Sequence, residues 1–145
     1  MKISTKGRYG IQLMLDLAIH YNQQLVPLKD IASRQEISEK YLEQIITPLN
    51  KSGYVRSVRG SQGGYMLALE PSKITIGMLL RVLEGPLYPV DCAATDNPNC
   101  DRASTCVTIG IWKKMKEAVE SVVDNISLED LVEEYKSKIE PDFCI

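Results

Sequence analysis

Residues 37–69, ISEKYLEQIITPLNKSGYVRSVRGSQGGYMLAL, change periodicity at their midpoint. In the first half Tyr41, Leu42, Ile45, Ile46 and Leu49 recur at steps of three and four, the spacing of one helix face. Lys40, Glu43, Gln44, Thr47 and Lys51 fall on the opposite, polar face. Ser38 suits the N-cap with Glu39 in the first turn, and Gly53 suits the stop. Pro48 removes one backbone bond and bends the helix, yet the stripe runs on through Leu49. In the second half Tyr54, Val55 and Val58 precede the break RGSQGG, and Tyr65, Leu67 and Leu69 alternate after it. The glycines of that break suit a hairpin loop wider than two residues.

Upstream, KGRYGIQLMLDLAIHYN carries Tyr9, Leu13, Met14, Leu17, Ala18 and Tyr21 on a helical stripe, with Gln12 and Asp16 outside it. Pro27 opens a short helix, PLKDIASRQ, with Leu28, Ile31 and Ala32 inward. Three short helices followed by a hairpin is the order of a winged helix-turn-helix. The expected fold is therefore mainly α with a small β-hairpin. Residues 1–73 form the winged helix-turn-helix, and residues 74–145 form a cysteine loop and dimerisation helices on the same compact body.

In that second half Thr75 caps IGMLLRVLEG, which ends at Gly85-Pro86. VTIGIWKKMKEAVESVVDNI spaces Trp112, Met115, Val119, Val122 and Ile126 as a seam of two heptads, too short for a free-standing coiled coil. It must pack on another helix, from this chain or a second copy. Ser127 and Asp130 form a capping pair for SLEDLVEEYKSK, and the tail IEPDFCI is expected to be loose.

The 145 residues are 44% hydrophobic and 25% charged, as for a folded chain. No apolar run reaches the ~18 residues that span a membrane. The start, MKISTKGRYG, has no apolar signal core, so the expected location is the cytoplasm, where disulfides are rare. The net charge of −2 is unevenly spread. Residues 1–73 hold ten Lys/Arg against six Asp/Glu, and residues 74–145 hold seven against thirteen. A basic half beside an acidic half suits a chain that turns one face to a polyanion.

On such a fold the later helix enters the major groove. Gln44 can pair with adenine there, Glu43 can accept from the cytosine amino group, and Lys40 can meet guanine or phosphate. Arg56 and Arg59, on a slim wing with Gly60, suit the minor groove, where negative potential attracts arginine. Lys2, Lys6 and Arg8 can neutralise nearby phosphates. Each of these is also what a solvated surface offers, so it is the constellation that carries the reading.

DCAATDNPNCDRASTC spaces three cysteines as Cys-x7-Cys-x5-Cys, at Cys92, Cys100 and Cys106. Structural zinc sites favour close Cys-x2-Cys pairs, and none is present. Spread thiolates on a polar loop suit a larger, sulfide-rich cluster. Zinc and free thiols stay open as alternatives, and Cys144 near the C-terminus reads as a free thiol.

MKISTKGRYG, EKYLEQIITPL, VRGSQGGYML and CDRASTCVTIGIWKKM together resemble the Rrf2 family of bacterial winged-helix repressors, in its iron–sulfur cluster regulator branch. The likeness covers about residues 1–135. It implies a homodimer on pseudo-palindromic promoter DNA, with Trp112, Met115, Val119 and Val122 at the interface of crossed helices. It places Lys40, Tyr41, Glu43 and Gln44 on the recognition helix and Arg59 and Gly60 on the wing. It makes Cys92, Cys100 and Cys106 ligands of a [2Fe–2S] cluster. Two positions depart from the pattern: the first cysteine gap is two residues longer, and Ile109 stands where the family has a ligating histidine. The fourth ligand is open among Asp91, Asp96, Asp101, Cys144 and a residue of the partner copy. An enzyme is not expected, because one histidine supports no nucleophile–base–orienter set and no glycine loop precedes Lys-Ser/Thr. The rivals are a thiol- or metabolite-responsive regulator of the same fold, as for cysteine metabolism, and a small iron–sulfur electron carrier.

Overall fold

The computed structural model of the protein describes residues 1–22 and 25–139. In it the helices α1 (Thr5–Ile19), α2 (Leu28–Gln35) and α3 (Glu39–Lys51) lead into an antiparallel hairpin of β1 (Val55–Val58) and β2 (Gly64–Leu67). The helices α4 (Ile76–Glu84), α5 (Ile109–Val123) and α6 (Leu128–Ile139) follow. This is the winged helix-turn-helix order expected.

The expected ends of α3 are where the chemistry puts them. The Ser38 hydroxyl accepts from the Tyr41 N–H at 3.1 Å. At the other end Gly53 takes a φ of 83°, open to glycine at little cost. Its N–H then reaches Asn50 O and the Tyr54 N–H reaches Leu49 O, both at 3.1 Å. This pair of bonds turns the chain directly into β1. Val58 pairs with Gly64, which leaves residues 59–63 as the wing loop. Val26 and Tyr65 exchange backbone bonds of 2.9 and 2.8 Å, pinning the hairpin to the segment before α2.

Helix α1 lies at the centre, against α3, α4, α6 and β2. Leu13, Met14, Ile45, Leu49, Leu79 and Leu128 are fully buried around it. Each contributes roughly 1.5–3 kcal/mol by leaving water. Asp16, expected outside the stripe and so in solvent, is instead buried. Arg34 of α2 makes this tolerable by donating two bonds to its carboxylate, Nη2–Oδ1 at 2.6 Å and Nε–Oδ2 at 2.9 Å.

The seam expected from Trp112 to Ile126 divides in two. The helix ends at Val123, and Ile126 instead accepts a backbone bond from the Ile76 N–H at 2.9 Å. Val119, Val123 and Ile126 pack on the chain's own core. Ile111, Met115 and Val122, a step round the helix, are 51%, 38% and 57% exposed. No residue of α5 is fully buried. Ile139, the first residue of the tail, closes α6, and residues 140–145 with Cys144 lie outside the described residues.

The C-terminal end of α5 is fastened to α4 by Arg81, whose Nη1 and Nη2 donate to Asp124 at 2.6 and 2.9 Å. The Arg81 guanidinium holds the Asp124 carboxyl below its ordinary range. A depressed carboxyl stabilises the fold above its unfolded pKa, and that gain is lost as pH falls through the folded value. Asp124→Asn should therefore cost stability at neutral pH, by at most about 1 kcal/mol for so exposed a pair. The gap in melting temperature from the parent should close in acid; a pH-independent gap would assign the loss to packing.

Candidate nucleic-acid interface and cysteine loop

An open cleft of about 630 Å³ runs between α3 and the wing. Lys29, Glu39, Glu43, Asn50, Arg59 and Gly60 are among its lining residues. Lys40, Glu43 and Gln44 are exposed on α3, and Arg56, Arg59 and Gly60 are exposed on the hairpin. Tyr41 is half-buried and meets the ring of Tyr9 edge-on, with centroids 6.1 Å apart and planes at 90°. This contact fastens the start of α3 to the start of α1. The Thr47 hydroxyl is occupied, donating to Glu43 O at 2.7 Å.

Asn50 and Lys29 are among the cleft residues not expected from the sequence. Asn50 lies on the polar face seven residues after Glu43, where periodicity could have found it. Its Nδ2 donates to Ser57 Oγ at 3.4 Å, tying α3 to β1. Lys29 opens α2, and only the tertiary fold brings it to the cleft.

The three cysteines lie between α4 and α5. Cys100 is exposed, Cys92 and Cys106 are half-exposed, and all three are unpaired. The loop is rooted by buried Leu87 and Ala93, the latter in a short turn against α5. Further along, its backbone bonds are local turns, Cys100 N to Pro98 O, Ala103 N to Cys100 O and Thr105 N to Arg102 O. The Thr108 hydroxyl at 3.3 Å, with the Ile109 N–H, holds the Cys106 thiol below its ordinary value. Among the described residues no three His, Cys, Asp or Glu side chains converge as a metal site. The structure thus puts the three thiols on one loop without gathering them. Asp91, Asp96 and Asp101 are exposed on the same loop, and Ile109 opens α5.

An open apolar groove of about 430 Å³ lies beside α5, with Ile3, Leu80, Leu87, Val119 and Val122 among its lining residues. No helix among the described residues is long and apolar enough to cross a membrane.

Residues 3–134 match the family model Rrf2, described as an iron-dependent transcriptional regulator. The chain is 44% identical over 131 residues to the HTH-type transcriptional regulator CymR of Bacillus subtilis (strain 168), covering 90% of this chain and 89% of that one. The solved structure of that protein, described as the global cysteine regulator, superimposes with a TM-score of 0.76 at 42% identity, over 92% and 97% of the two chains. The HTH-type transcriptional regulator IscR of Aliivibrio salmonicida is 39% identical over 132 residues, 91% and 77% of the two chains. The structure of T. potens IscR superimposes with a TM-score of 0.77 at 44% identity, over 95% and 90%. These relatives are regulators, which points away from an enzyme. The helix order and the wing, matched along nearly the whole chain, place it in the Rrf2 family of transcriptional regulators.

Proposed function

We propose that two copies of the chain bind promoter DNA through α3 and the wing and act as a repressor switched by a [2Fe–2S] cluster. Cys92, Cys100 and Cys106 would hold the cluster. One observation carries this reading: three unpaired thiols share the single loop that joins α4 to α5. The donor chemistry fits, because thiolates suit a soft cluster and the loop's backbone bonds from Pro98 to Thr105 are local turns. Bound there, the cluster would supply a group whose presence depends on iron and oxidant. The loop's own part is to join the end of α4 to the start of α5. Protein purified without air should absorb in the visible and carry iron and acid-labile sulfide. Colourless protein free of both would exclude the cluster.

A second reading is a thiol- or cysteine-responsive regulator. It is favoured by the likeness to CymR and by three thiols that do not converge among the described residues. It predicts colourless protein whose DNA affinity still changes on thiol oxidation. In either reading a second copy covers Ile111, Met115 and Val122, since an apolar patch of that kind is a usual interface.

The exposed position of Arg59 on the wing supports a role for it in a DNA groove. Arg59→Ala should weaken operator binding roughly tenfold, ~1.4 kcal/mol, and leave the melting temperature alone. Unchanged affinity would move the DNA face elsewhere. Glu43 is a different case, because phosphate repels a carboxylate unless a base amino group meets it. Glu43→Ala should widen the set of sequences recovered by selection from random DNA. The same narrow set would contradict this role.

A further inference from the structure

Helix α1 begins without an acidic residue in its first turn. A carboxylate arrives there from 80 residues away. Glu84 Oε1 accepts from the Ser4 N–H at 3.0 Å and from the Ser4 hydroxyl. The same hydroxyl accepts from the Gly7 N–H at 3.1 Å, so cap and carboxylate form one unit at the positive end of the helix. Gly7 makes the approach possible, because a Cβ there would collide with Glu84 Oε1. Lys6 and Arg8 flank that glycine, and Tyr9 beside them meets Tyr41 of α3 edge-on. The first turn of α1 therefore sits next to the start of α3. Glu84 is also the last residue of α4, at the root of the cysteine loop.

We propose that Glu84 is a positioning residue for DNA binding, holding the first turn of α1 through Ser4 so that Lys6 and Arg8 meet phosphate. This rests on the reading that α3 and its surroundings face DNA. A carboxylate beside a polyanion has a through-space effect of the opposite sign. If Glu84 acted only by its charge, removing it would strengthen binding. If it positions two cations, removing it weakens binding.

The test is operator affinity of the full-length protein on one promoter fragment, by fluorescence anisotropy over a range of salt. Glu84→Ala should weaken binding about tenfold. Its salt slope should fall by about two, one for each phosphate that Lys6 and Arg8 no longer neutralise. Ser4→Ala should lose affinity likewise. Glu84→Gln should retain most of it, since an amide oxygen still accepts from Ser4. Adding Glu84→Ala to a Lys6→Ala, Arg8→Ala double variant should change nothing more. Gly7→Ala displaces the flexible end of Glu84 while favouring the helix, and should weaken binding with no loss of melting temperature. Should Glu84→Ala fail to fold, Gly7→Ala decides the matter. A rise in affinity, or an unchanged affinity and slope, would overturn the positioning role and leave the DNA-binding reading standing. Wild-type binding that ignored salt would overturn both.

Discussion

Changing Cys92, Cys100 and Cys106 to serine together should strip visible absorption, iron and acid-labile sulfide from protein purified without air. Serine oxygen is a poor ligand for a soft cluster. Each single change should bleach the protein as well, because a cluster held by three cysteines and one exchangeable ligand has none to spare. Cys144→Ser should leave the spectrum intact. With Ile109 unable to bind iron and Cys144 expected to be a free thiol, the remaining position falls to Asp91, Asp96, Asp101 or the partner copy. An oxygen ligand there would make the cluster more labile than a four-cysteine one, and a sensor needs to lose its cluster when iron is short. Iron retained in the triple variant would place the metal elsewhere.

Met115→Lys should convert a dimer into monomers. Met115 is 38% exposed in the single chain, so a lysine there leaves the chain's own core untouched. In a dimer it would set two charges into an apolar seam and remove two side chains worth roughly 1.5–3 kcal/mol each. Uncoupling two half-sites forfeits avidity of about 10²–10⁴-fold, so operator binding should all but vanish at concentrations that saturate the parent. Sedimentation together with far-ultraviolet circular dichroism separates dissociation from unfolding. A folded dimer surviving this change would remove the seam from the interface.

What the sequence disclosed is what local chemistry controls. The stripe of α3, its Ser38 cap, the Gly53 turn and the wing follow from residues a few positions apart. The same holds for Thr75 at the start of α4, whose hydroxyl accepts from the Met78 N–H at 3.2 Å. What stayed hidden depends on partners distant in the chain. Asp16 looked solvated because its reason for burial, Arg34, lies 18 residues on and across a helix contact. The seam from Trp112 to Ile126 looked continuous because periodicity records an apolar face without saying which side of it the chain itself covers. Ser4 and Glu84 meet across 80 residues, and neither spacing nor composition announces the pair. The cysteine spacing put three thiols on one loop but could not say whether they converge, and among the described residues they do not.

The loop sits between the helix that ends at Glu84 and the helix that carries the seam, so filling it should bear on the spacing of two wings. Such coupling is reciprocal and typically amounts to about 1–3 kcal/mol, or 5–150-fold. The most direct test is one titration of a single promoter fragment at fixed salt. It compares anaerobically purified, cluster-loaded protein with the Cys92→Ser, Cys100→Ser, Cys106→Ser variant, both confirmed as dimers. With the cluster as the switch, operator affinities should differ by about 5–150-fold. Equal affinities would contradict that role, even if the cluster itself were present.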